Sequence, residues 1–106
     1  MLIVTTNNLP GYEIVEVLDI ARGSTVRARH IGRDISAVFK SVVGGEIREY
    51  TKLMAQAREQ AIERMIADAA ILGAEAIVNV RFMTSMVLAG ASEILAYGTA
   101  VKIRKL

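Results

Sequence analysis

Arg58 is the charge that sits least easily in its surroundings. It falls four positions after Met54 and seven before Met65, so at about 100° per residue it projects from the apolar side of a helical stretch. A guanidinium held there needs a carboxylate, unless it snorkels past its apolar neighbours to water. It reads as an anion clamp or as half of a structural ion pair, within the fold or between subunits. Asp34 and Glu46 are the carboxylates to consider. Gly44-Gly45-Glu46, ahead of the same stretch, would turn free N–H groups and the positive end of a helix dipole toward a small anionic ligand. The segment lacks the Lys-Ser/Thr of a phosphate loop, and a helix cap followed by a helix start accounts for it as well. Tyr50, on the same helical stretch, completes this group of ligand or interface candidates.

Other chemistry is thinly supplied. The chain has no Cys and one His, His30, so thiolate nucleophiles and zinc-thiolate centres are out and His30 is a weak metal candidate. Met83 and Met86 would point to opposite faces of a strand, which argues against a thioether site for Cu(I). Glu16, between Ile14 and Leu18, is either a buried acid or an exposed residue at a bulge. Ser85 and Tyr97 have no evident base beside them, so no nucleophile, base and orienting group can be assembled, and an enzyme is not the expectation. Arg22, Arg27, Arg29, His30 and Arg33 form a basic run without interleaved aromatics, read as a solvated or interface segment rather than a nucleic-acid surface.

The elements that must carry these residues follow from composition and pattern. With 106 residues, a single domain over residues 1–106 is expected. Hydrophobic residues are 53% of the chain and aromatics only 5%, giving an aliphatic, alanine-rich core. A monomer of this size buries only roughly 65% of its unfolded surface, so the apolar excess predicts a surface patch and hence a homo-oligomer. The net charge of +2 is too small to imply nucleic acid, and the N-terminus lacks a signal-peptide pattern. A cytoplasmic protein with no membrane partner is the default expectation.

Leu2 to Thr5 reads as a short strand, and Tyr12 to Ala21 as a second, with Tyr12, Ile14, Leu18 and Ile20 on one face and Val15 and Val17 on the other. Arg22-Gly23-Ser24 would end that strand, leaving a connection to Arg33. The spacing of Ile31, Ile35, Val38, Phe39 and Val42 predicts a short helix. Glu46 to Leu72 predicts a long one, with an apolar stripe through Tyr50, Met54, Ala57, Ala61 and Met65. Ile77 to Phe82 and Glu93 to Arg104 read as strands around a looser stretch from Thr84 to Ser92. The order implies an α+β fold, the long helix laid across an antiparallel sheet.

Arg33-Asp34-Ile35, Gly44-Gly45-Glu46, Tyr50, Ala57-Arg58, Ala61, Gly73-Ala74-x-Ala76 and Gly98-Thr99-Ala100-Val101, in this order, resemble the successive motifs of the YbjQ-like family over essentially the whole chain. The resemblance implies a dodecin-subunit-like β-α-β-β core with extra N-terminal strands, and a ring, commonly a homopentamer. The family carries a heavy-metal-binding label without an established function, and no cofactor can be named from it. Soft metals favour thiolate, thioether or imidazole ligands, which this chain supplies poorly, so the label is not carried over. The expectation is a ring-forming binding or scaffold protein with ligand pockets at subunit interfaces. The alternatives are a metal-binding protein using oxygen and His ligands repeated by symmetry and, behind it, an enzyme whose site is shared between subunits around Arg58 and Glu46.

Overall fold

A run that after Gly45 holds no Gly or Pro and is rich in Ala, Met, Glu and Arg forms one long helix, α1, spanning Gly45–Ile71. Gly73 ends it in the left-handed conformation, at φ +79°. Its N–H donates to the Ala70 carbonyl (3.0 Å) and that of Ala74 to the Ala69 carbonyl (3.1 Å), the bonding pattern of a Schellman cap. The computed structural model describes residues 1–28 and 45–106, with residues 28 and 45–50 described by their backbone alone. The short helix expected over Ile31 to Val42 lies outside the described residues, as do His30, Asp34 and Gly44.

The strands are β1 (Leu2–Ile3), β2 (Tyr12–Ala28), β3 (Ala76–Leu88) and β4 (Ala91–Lys105), in the sheet order β1-β3-β4-β2. β4 is antiparallel to both neighbours, and together with α1 these strands make the expected β-α-β-β core. The sheet as a whole is mixed rather than antiparallel, because β1 runs parallel to β3 with Leu2 opposite Ala76. A parallel pair needs a long connection, and β2 with α1 supplies it. The one strand added before the core is β1.

β2 does not stop at Arg22-Gly23-Ser24 but runs on to Ala28. Gly23 is a point of close approach rather than a terminator. A Cβ there would sit 2.3 Å from the Met65 backbone N and 2.5 Å from the Ala61 carbonyl oxygen, so the helix can rest on the strand only where the strand has no side chain. The alternation expected for Tyr12 to Ala21 also breaks. Register shifts between Ile14 and Glu16 and between Val17 and Asp19 leave Tyr12 and Ile14 packing with Leu9, Val78 and Val101, while Leu18 packs against the helix-side core. Ile20, expected beside them, is exposed, and so is Glu16.

The core under α1 is built from Ala57, Ala61, Met65 and Ala69 on the helix, against Ala21 of β2 and Ile94, Ala96 and Ala100 of β4. This stripe shares Met54, Ala57, Ala61 and Met65 with the one expected. Thr25 is buried among them and its hydroxyl donates to the Ala57 carbonyl (3.0 Å). A single helix about 10–12 Å across covers two strands of a sheet whose spacing is about 4.8 Å. α1 accordingly lies over β2 and β4 and barely touches β3.

The stretch from Thr84 to Ser92, expected to be loose, is the end of a β3–β4 hairpin turning at Ala89-Gly90, with one register shift between Met86 and Leu88. It extends the molecule to 58 × 22 × 16 Å, and the radius of gyration is 17.7 Å where a compact chain of this length has about 13 Å.

Candidate functional site

The sequence-derived candidates do not converge in one chain. Arg58 lies on α1 but is exposed, because the apolar stripe passes through Ala57 and Ala61 and leaves position 58 turned outward. Glu46 stands twelve residues earlier on the same continuous helix, about 18 Å away along its axis, so it is not the intrachain partner of Arg58. Gly45 opens α1 and Tyr50 follows in its second turn, both placed by their backbone. Met83 and Met86 both belong to β3, at register positions that alternate in face, and both are exposed. Among the described residues no three His, Asp or Glu side chains gather in a way that could hold a metal. Heavy-metal chemistry finds a poor donor set in a chain with no thiolate and one imidazole.

What the structure does build is a sheet whose two sides are treated differently. On the β2 side, α1 sends polar side chains onto the strand. Asp68 Oδ2 accepts the Arg22 backbone N–H (3.0 Å), Arg64 Nη1 donates to the Ser24 carbonyl (2.6 Å), and Gln60 Oε1 accepts from Arg27 Nη2 (2.6 Å). Residues 60, 64 and 68 fall four apart, one above the other along the helix, which places all of them against the strand. This line was missed in the sequence; its signal was the four-residue spacing itself.

On the β3 side, cover runs only part of the way. Backbone bonds from Val4 to Ile77 (2.9 Å), from Asn79 to Thr6 (3.0 Å) and from Val80 to Val4 (3.0 Å) carry the β1 segment along β3. Asn79 sits there at φ 54°, at the register shift that bends β3. Arg81 then closes the covered part by donating through Nη1 to the Thr5 carbonyl (2.8 Å). From Phe82 to Leu88 no hydrogen bond from another described element reaches the outer edge. Phe82, Met83, Met86, Val87 and Leu88 are all exposed, Met86 to 77%.

Where cover ends, Ile62 of α1 faces Val80 and Phe82 of β3, with Ile3, Val4 and Thr5 along the rim, around a mainly apolar groove of about 450 Å³. A second hollow of about 710 Å³ lies at the Lys105 end of the sheet, between Asn8 to Ile14 and Leu106. Both are within the size range of small-molecule sites, and both are open to solvent. Arg104 and Glu13 form an exposed ion pair across β2 and β4 beside the second hollow. Among the described residues no helix is long and apolar enough to cross a membrane.

The chain is 61% identical to a UPF0145 protein of Methanosarcina acetivorans over 97% of each chain. It is 58% identical to a UPF0145 protein of Thermosipho africanus over 99% of this chain and 97% of that one. A crystal structure from Pediococcus pentosaceus, described as a protein of unknown function in the DUF74 family, superposes with a TM-score of 0.66 over 98% of each chain. At 18% identity it shows the fold alone, the same small α+β arrangement. A family model described as "Putative heavy-metal-binding" matches residues 1–104, and with relatives this close along the full length the chain belongs to the YbjQ-like, or UPF0145, family.

Proposed function

We propose that the protein is a ring-forming homo-oligomer, a pentamer or a multiple of one, that works as a binding scaffold with ligand pockets where subunits meet. The observation that carries this reading is the arm from Phe82 to Leu88, an apolar strand left exposed on both faces and along its edge. Soluble chains seldom leave such a strand bare, because an open apolar edge invites uncontrolled pairing. The groove beside Phe82 and the hollow beside Tyr12 become enclosed when copies pack against the two ends of the sheet. An anionic small ligand fits the exposed Arg58, which stands free of the core to face a neighbour or a ligand.

Size exclusion coupled to light scattering at low micromolar concentration tests the assembly, with several times the 11.5 kDa chain mass expected. A monomer mass refutes it. Native mass spectrometry of tag-free protein then reads any small molecule retained, and elemental analysis reads any metal. Stoichiometric retention of a soft metal would replace the scaffold reading with a metal site whose ligands are repeated about the ring axis.

A further inference from the structure

We propose that the face of the sheet turned away from α1 binds a phosphate monoester, with Arg22, Tyr97 and Arg81 holding the phosphate and Leu95 and Met83 carrying an apolar body. The site goes beyond the reading above and lies within one chain. Alternation along the strands sets the face. Thr25 bonds the Ala57 carbonyl and Gly23 meets the α1 backbone, so the Arg22 and Ser24 side chains point the other way. Ile94 and Ala96 belong to the core under α1, which turns Leu95 and Tyr97 outward. Val80 and Phe82 line the groove with Ile62, which turns Arg81 and Met83 to that same outer face. Register then aligns them. Tyr97 lies opposite Arg22 on one side and Arg81 on the other, and in the next row Leu95 lies opposite Ser24 and Met83.

Charge selects the ligand. Strands stand about 4.8 Å apart, so the backbones of Arg22 and Arg81 lie roughly 10 Å apart with the Tyr97 phenol between them. The adjoining rows hold no carboxylate: Ser24, Leu95 and Met83 on one side, Ile20, Thr99 and Val78 on the other. Glu93 stands two rows away, about 13 Å along β4. Asp68 is engaged by the Arg22 backbone N–H at the strand rim. Among the described residues neither the Arg22 guanidinium nor the Tyr97 hydroxyl has a hydrogen-bond partner. Arg81 is held in place, because its Nη1 donates to the Thr5 (2.8 Å) and Val80 (2.9 Å) carbonyls, and its Nε and Nη2 remain as donors. Two guanidinium groups without a counter-charge suit an anion, bound through charge-assisted hydrogen bonds. With the phenol they make three donor groups. A phosphate monoester answers with three terminal oxygens and about two negative charges at neutral pH, whereas a carboxylate brings two oxygens and one charge. Cover on this face ends with Leu9, Val78 and Val101, so the row is open to solvent. Half-buried Leu95 and Met83, exposed to 54%, extend an uncharged floor beside it.

The test titrates the full chain with phenyl phosphate at low salt and reads binding by calorimetry and phosphorus NMR. Wild type should bind it, with inorganic phosphate and benzoate each at least about tenfold weaker. Arg22→Gln and Tyr97→Phe each remove one charge-assisted bond at little change in bulk, and each should weaken binding by about tenfold with the circular-dichroism spectrum unchanged. Arg81 also ties down the β1 segment and is left intact. Arg104→Gln removes the same charge at the Lys105 end of the sheet and should leave the affinity within about twofold. No binding by wild type, or equal binding by Arg22→Gln and Tyr97→Phe, overturns the site. Benzoate as tight as phenyl phosphate overturns the choice of phosphate, and inorganic phosphate as tight overturns the apolar floor. If Arg58→Gln alone abolishes binding, the anion sits on α1, so this site falls while the reading of Arg58 above stands. The assembly is judged separately, by its mass in light scattering.

Discussion

Two stretches that flank the same part of β4 differ both in composition and in how the helix treats them. β2 from Arg22 to Arg27 and β3 from Phe82 to Leu88 flank the same stretch of β4, and each lies at the rim of the described sheet. On β2, the helix supplies a carboxylate, a guanidinium and an amide to the rim and buries Ala21 and Thr25 beneath it. On β3, where the helix does not reach, Phe82, Met83, Met86, Val87 and Leu88 are exposed, although this stretch is far more apolar than Arg-Gly-Ser-Thr-Val-Arg on β2. The difference teaches that one helix can satisfy only half of a four-stranded sheet. The apolar end of β3 stays exposed beyond the helix's reach.

The comparison can be broken most sharply with methionine, which occurs on both sides. Met65 is fully buried under the helix, so Met65→Ala should destabilise the chain by about 2–5 kcal/mol. Met86→Ala, made in a variant held monomeric, should stay within about 0.5 kcal/mol. Denaturant titration of both measures the contrast, and equal costs would mean that the β3 arm is packed within the monomer.

Gly23→Ala comes next. A methyl group there meets helix backbone that cannot rotate aside, so the cost should reach the upper part of the overpacking range, about 3 kcal/mol. Thermal unfolding should show the loss, and an unchanged midpoint would mean that α1 does not rest on β2 as described. Thr25→Val keeps the shape but removes the hydroxyl bonded to Ala57, and should cost about 1 kcal/mol in the same assay. Smallest in stability is Asp68→Ala, below about 1 kcal/mol for an exposed contact. Its larger consequence should be in solubility: a second open edge raises concentration-dependent association in light scattering, and a variant as well behaved as wild type would deny Asp68 its guarding role.

The arrangement of elements was legible because it depends on local patterns. The helix from Gly45 to Ile71 announced itself by composition, by the absence of breakers and by the glycine that caps it. Its buried stripe through Ala57, Ala61 and Met65 followed from the 3.6-residue period, and the α+β class from the order of strands around it. Gly23 was misread because a glycine that ends a strand and one that admits a helix look alike until the helix is in place. The faces of β2 were misread because two register shifts, between Ile14 and Glu16 and between Val17 and Asp19, turn over the side chains that lie between them. The outward turn of Arg58 was missed for a related reason. Met54 and Met65 do lie along the stripe, but the stripe between them passes through Ala57 and Ala61 and leaves position 58 beside it.

Sequence alone determined that this chain folds as one long helix against a sheet of mostly antiparallel strands, with too much apolar surface for its size. Those outcomes are fixed by residue type and spacing along the chain, which act over a few residues at a time. Tertiary structure decided which side of the sheet the helix covers, and so which strand edge is capped and which is open. That choice rests on contacts between residues forty or more positions apart, such as Gly23 with Met65 and Arg22 with Asp68, and no local pattern records them.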